Sequence, residues 1–231
     1  MGSATAWRNE EMRSRTRLIL GLDETREDKA LSVVEMVREY VDAIKINWPL
    51  VLSTSPGIIT RVSRIAEVIC DFKVADIPNT NRLIVQQAVA LGASGVIVHG
   101  FTGRDSVKAA VDAARGAEVF VVTEMSHPGG EEFTAPVACR LAGLAVECGA
   151  SGVIAPATRP ERIKMIRDVV GKLKILSPGV GAQGGNAADA IANGADYVIV
   201  GRSIFNASDP RGAAKEVCEQ IAGTLSLMKK R

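Results

Sequence analysis

The sequence predicts an α/β protein folded as a single-domain (β/α)8 TIM barrel, on three observations. Short Val- and Ile-rich runs alternate with longer segments of helical spacing along the whole chain. The runs number about eight, which is what closes such a barrel. Apolar residues make up 47% of the chain and aromatics only 4%, so the core is built from Val, Ile, Leu and Ala, the palette of parallel strands covered on both faces. The length of 231 residues suits one barrel as readily as two small domains, and no linker interrupts the alternation. An open doubly wound sheet is the alternative. It would more typically carry a GxGxxG turn after its first strand, where this chain has Gly21-Leu22-Asp23-Glu24-Thr25.

Strands are expected at 18–22, 43–46, 68–72, 95–98, 119–123, 152–155, 174–176 and 197–200. Amphipathic helices are expected between and after them at 28–40, 81–91, 106–115, 136–147, 160–170, 187–193 and 210–228. Asp28 and the pair Asp105-Ser106 read as N-caps, and Pro160 as a first-turn proline. Gly92, Gly149 and Gly194 fall where a helix must stop before its strand. Periodicity begins only at Leu18, so residues 1–14 are expected to be a flexible N-terminal extension and 15–231 the barrel domain.

Composition excludes several function classes. With 28 basic and 26 acidic residues interspersed, the net charge is +2, and no basic face announces a nucleic-acid partner. No run of about 18 apolar residues marks a membrane span, and the charged N-terminus lacks a signal-peptide core. The four cysteines, Cys70, Cys139, Cys148 and Cys218, show no CxxC spacing and sit in apolar stretches. Buried free thiols in a soluble, cytoplasmic protein are expected. The two histidines, His99 and His127, cannot make a zinc site without help from other strands, so no metal is expected.

Functional groups of such barrels lie at the C-terminal ends of the strands. The densest candidate is Asp71-Phe72-Lys73-Val74-Ala75-Asp76-Ile77-Pro78. Residues two apart on a strand share a face, so Asp71 and Lys73 point inward, and Asp76 follows where the chain turns. Two carboxylates flanking one ammonium favour the ionised forms of all three. A protonated lysine there can stabilise negative charge developing on carbon and then quench it by proton transfer. An ion-pair staple at the barrel rim is the bland alternative. It weakens because Asp23 and Lys45 converge on the same mouth, and desolvation makes a row of charges a costly brace. The second candidate is Ser177-Pro178-Gly179-Val180-Gly181-Ala182-Gln183-Gly184-Gly185, with Val200-Gly201-Arg202-Ser203 after the next strand. Glycine N–H groups and an Arg there suit a phosphate.

These segments, with Thr123-Glu124-Met125-Ser126-His127-Pro128-Gly129, resemble the orotidine 5'-monophosphate decarboxylases in their compact archaeal form, from about Arg17 onward. The resemblance implies a homodimeric carboxy-lyase that releases carbon dioxide from orotidine 5'-monophosphate in the last step of de novo UMP biosynthesis, without cofactor. It implies that Lys73 protonates C6 of the pyrimidine, that Asp71 faces the substrate carboxylate, and that Asp76 enters from the neighbouring subunit. Asp23, Lys45 and Thr80 would meet the ribose hydroxyls, Thr80 also across the interface. Ser126 and Gln183 would hold the pyrimidine, with Gln183 reaching the phosphate. Arg202 and the backbone near Gly201, Gly181, Gly184 and Gly185 would grip the phosphate, while Ile77, Pro178 and Val180 would wall the pocket.

Two rivals are set against it. A magnesium-dependent sugar-phosphate decarboxylase or aldolase of the same superfamily shares Asp-x-Lys-x-x-Asp but places a Glu ligand where this chain has Lys45, which would repel the cation. The other rival is a non-catalytic barrel that binds nucleotides.

Overall fold

The computed structural model describes residues 15–230, so the expected extension over 1–14 lies outside the described residues. Eight parallel strands form a closed barrel in sequence order: β1 (Leu18–Leu22), β2 (Ala43–Asn47), β3 (Val68–Val74), β4 (Gly95–His99), β5 (Glu118–Val122), β6 (Gly152–Ile154), β7 (Lys174–Val180) and β8 (Tyr197–Val200). Around it run α1 (Glu27–Val37), α2 (Trp48–Ser53), α3 (Gly57–Ser63), α4 (Pro78–Ala90), α5 (Arg104–Ala113), α6 (Gly130–Phe133), α7 (Ala138–Glu147), α8 (Pro160–Val170), α9 (Ala187–Ala192), α10 (Arg202–Phe205) and α11 (Pro210–Met228). No helix among the described residues is long and apolar enough to cross a membrane.

Strand alternation divides the core in two. Ile19, Ala43, Ile69, Ile97, Phe120, Leu176, Tyr197 and Ile199 fill the barrel interior, while the outward residues pack under the helices. Phe120 needs room on both sides. A Cβ at Gly95 would stand 3.0 Å from its ring and one at Gly152 2.9 Å, so glycine on the two flanking strands makes space for it.

The predicted helix stops are observed: Gly92, Gly149 and Gly194 follow α4, α7 and α9 with φ of 106°, 73° and 104°. The predicted caps are not. Asp28 lies inside the first turn of α1, which starts at Glu27, and pairs with Arg26, while Glu24 Oε1 accepts the N–H groups of Thr25 and Arg26 just before the helix. Asp105 likewise sits inside the first turn of α5, which starts after Gly103, and it accepts the N–H of Ser106. Between β2 and β3 lie two helices that periodicity did not reveal. Pro49 occupies a first-turn position of α2, where a missing N–H costs nothing. Of the four cysteines, none is in a disulfide, and Cys139 and Cys218 are half-buried where full burial was expected.

Candidate active site

The C-terminal ends of the strands surround a cavity of about 200 Å³. Its floor is apolar, made by Ile97, Val122, Ile154 and Ile199 from the barrel interior. One wall carries Asp23, Lys45, Asn47, Asp71 and Lys73 from β1 to β3. Facing it are Ser126, Pro178, Val180, Gln183, Gly201 and Arg202 from the loops after β5, β7 and β8.

Asp71 sits at the centre of the charged wall, with side-chain exposure of only 6%. Lys45 Nζ donates to its Oδ2 at 2.8 Å, and Lys73 Nζ lies 2.9 Å from both of its oxygens. Within one chain the array is therefore one carboxylate between two ammonium groups, where the motif alone had read as two carboxylates about one. Burial would raise the Asp71 carboxyl, but the Lys45 and Lys73 charges outweigh it and hold the carboxyl below its ordinary range. The Lys45 ammonium occupies one side of Asp71, where a divalent cation would otherwise need to approach. Among the described residues no three His, Cys, Asp or Glu side chains converge as a metal site.

Lys73 reaches this position through an irregularity. The pairing of β3 with β4 shifts register between Cys70 and Val74, and Lys73 adopts φ 44°, in the left-handed region. The neighbouring Phe72 turns outward and stacks on Trp48 at 4.2 Å, and its carbonyl accepts the Trp48 indole N–H at 3.1 Å. A brace thus holds the bulge from outside while Asp71 holds the lysine from inside.

Asp76, Ile77 and Thr80 do not line the cavity of their own chain. Asp76 is exposed, and its backbone is fastened: Asn81 Oδ1 accepts its N–H at 2.9 Å and Ser106 Oγ donates to its carbonyl at 2.9 Å. Both anchors are buried polar residues; the sequence offered Ser106 only as part of an N-cap and gave Asn81 no role, because an Asn inside a helix carries no outward signal.

On the far wall Ser126 Oγ donates to Gln183 Oε1 at 2.9 Å, so the β7–α9 loop reaches across the mouth to the β5–α6 loop. Gly181 and Gly184 have φ of 76° and 90°, and the N–H groups of Gly181, Gly184 and Gly185 all donate inside their own loop. In this conformation these glycines shape the loop rather than present donors to an anion. Arg202 opens α10 after Gly201, at the cavity edge.

Several residues carried no assigned role from the sequence. Glu124, wholly buried, receives Arg159 Nε at 2.7 Å on one oxygen and Arg162 Nε at 2.8 Å on the other. His99 ends β4 beside Phe101, ring centroids 4.7 Å apart. Its pKa is pushed down to about 4, by burial first and by the Lys73 charge second, so it is neutral near pH 7. Asn47 was also missed.

A family model described as orotidine 5'-phosphate decarboxylase / HUMPS matches residues 16–217. The orotidine 5'-phosphate decarboxylase of Methanococcoides burtonii is 57% identical over 91% of this chain and 99% of its own length. That of Thermococcus kodakarensis is 50% identical over 89% of this chain and 97% of its own. Among solved structures, orotidine 5'-monophosphate decarboxylase from Methanocaldococcus jannaschii complexed with the inhibitor BMP superposes with a TM-score of 0.85 at 46% identity, covering 88% of this chain and 97% of that one.

Proposed function

The chain belongs to the orotidine 5'-phosphate decarboxylase / HUMPS family, and on that premise we propose how its side chains perform the reaction. It is a carboxy-lyase that converts orotidine 5'-monophosphate to UMP and carbon dioxide in pyrimidine biosynthesis. The observation that carries the chemical reading is Lys73 Nζ held 2.9 Å from Asp71 at the rim of an apolar-floored cavity.

The substrate carboxylate lies beside Asp71, and the C6–carboxylate bond breaks with its electron pair remaining on C6. Carbon dioxide leaves, the Lys73 ammonium stabilises the carbanion, and one of its protons moves to C6. The neutral amine then regains a proton from solvent. Asp23 and Lys45 meet the ribose, Ser126 and Gln183 the pyrimidine, and Gln183, Gly201 and Arg202 the phosphate. Pro178 and Val180 wall the pocket, and Gly181, Gly184 and Gly185 give the loop its closed shape over the phosphate. Asp76, Ile77 and Thr80, turned away from their own cavity, complete that of a second copy in a homodimer. The catalytic unit is the barrel from residue 15 onward, and its thiols, none in a disulfide, fit a reducing cytoplasm.

No metal or cofactor enters this mechanism. Purified protein is expected to decarboxylate orotidine 5'-monophosphate equally well with and without EDTA. Lys73→Ala is expected to keep UMP binding while turnover falls by at least about a thousandfold. Activity abolished by chelator and restored by magnesium would favour the metal-dependent rival, and full carbon dioxide release by the variant would remove Lys73 from its role.

A further inference from the structure

Resting on the decarboxylase reading, we propose that Asn47 is a further substrate-positioning residue, whose side-chain amide donates a hydrogen bond to a ribose hydroxyl of the bound nucleotide. Asn47 ends the inward row of β2, Ala43, Lys45, Asn47, and pairs across the strands with Asp71. It lines the cavity together with both of them.

Its amide has one allowed orientation. Oδ1 accepts the Trp48 N–H at 2.8 Å and thereby caps α2, so Nδ2 faces away from the helix. The anchor is rigid, because Trp48 is itself stacked on Phe72 and bonded to its carbonyl. Among the described residues Nδ2 has no hydrogen-bond acceptor. A side chain held by one end with its other donor free is ready for a ligand without further ordering cost.

The surroundings select the ligand atom. Lys45, one step deeper on the same face, and Asp23 on the adjoining strand mark the sugar end of the cavity, while Arg202 marks the phosphate and Ser126 the base. A neutral donor also suits this wall, since it adds a hydrogen bond without disturbing the balance of Lys45, Asp71 and Lys73.

The test is calorimetric titration of wild type, Asn47→Ala and Asn47→Ser with UMP and with 2',3'-dideoxyuridine 5'-monophosphate. Serine keeps an acceptor for the Trp48 N–H but is too short to reach the sugar, so it separates capping from binding. Both variants are expected to bind UMP about fivefold more weakly, the size of one neutral hydrogen bond, while all three proteins bind the dideoxy analogue within about twofold of one another. Wild-type affinity for UMP in Asn47→Ser would overturn the proposal, and so would equal weakening toward UMP and the analogue. A wild-type protein that fails to turn over orotidine 5'-monophosphate would instead overturn the decarboxylase reading, and this inference with it.

Discussion

Lys73 holds its backbone at φ 44°, a conformation that crowds Cβ against the following carbonyl and costs an L-residue on the order of 1 kcal/mol. A position that bears strain in this way is over-determined by its surroundings, here by Asp71 inside and the Trp48–Phe72 brace outside. The consequence is measurable by comparing Lys73→Ala with Lys73→Gly. Both lack the ammonium and both leave Asp71 with Lys45 alone, so their difference isolates the backbone. Glycine adopts positive φ freely, and the Gly variant is expected to be more stable than the Ala variant by about 1 kcal/mol in urea unfolding. An Ala variant of equal or greater stability would show that the left-handed conformation stores nothing. The charges of this motif were legible in the sequence, since adjacency alone puts Asp71 and Lys73 together. The left-handed turn was not, because only Gly or Asn would have advertised it. Asn47 carried no signal of its own in the sequence, and only the structure shows that it caps α2 and lines the cavity.

At the scale of elements, the segment between β5 and α7 is held by charge more than by packing. Glu124 at the end of β5 clamps Arg159 and Arg162 at the start of α8. Those arginines also donate to the carbonyls of Met125 and Ala135, and Thr158 Oγ1 donates to the Ser126 carbonyl at 3.0 Å. One wholly buried carboxylate therefore fixes the loop that carries Ser126. Glu124→Leu would leave the Arg162 guanidinium without its counter-charge and Arg159 with only the exposed Glu131, 3.3 Å away, a loss expected to cost about 3 kcal/mol in urea unfolding. The same variant is expected to bind UMP at least about tenfold more weakly, because Ser126 loses its fixed position. If UMP affinity holds while stability falls, the clamp braces the barrel and does not position the loop. Helices such as α8 and α11 were predicted to the residue, since Pro160 and Pro210 open them and long amphipathic patterns follow. Those between β2 and β3 were not, because prolines and hydroxyl residues mask periods of only six or seven residues.

At the scale of the molecule, the barrel was legible because closure needs only the count and alternation of elements, both carried by burial periodicity. A contribution of Asp76 from a second chain was not legible in spacing or periodicity, and only the family resemblance implied it. Asp76 is exposed and its backbone is fastened by Asn81 and Ser106 so that it cannot simply swing into its own cavity. Next to it Ile77 is 65% exposed, and Leu83 on the helix that follows is also solvent-facing, apolar surface suited to a second copy of the chain. If that copy lends Asp76, then damage at Lys73 and damage at Asp76 belong to different sites of one dimer. Lys73→Ala and Asp76→Ala chains, each nearly inactive alone, can be co-expressed with different tags and purified for both. In such a mixed dimer one site receives both lesions and the other receives neither, so about half of the wild-type activity per dimer is expected to return. Were Asp76 to serve its own chain, each site would keep one lesion and the mixed dimer would stay as inactive as its parents.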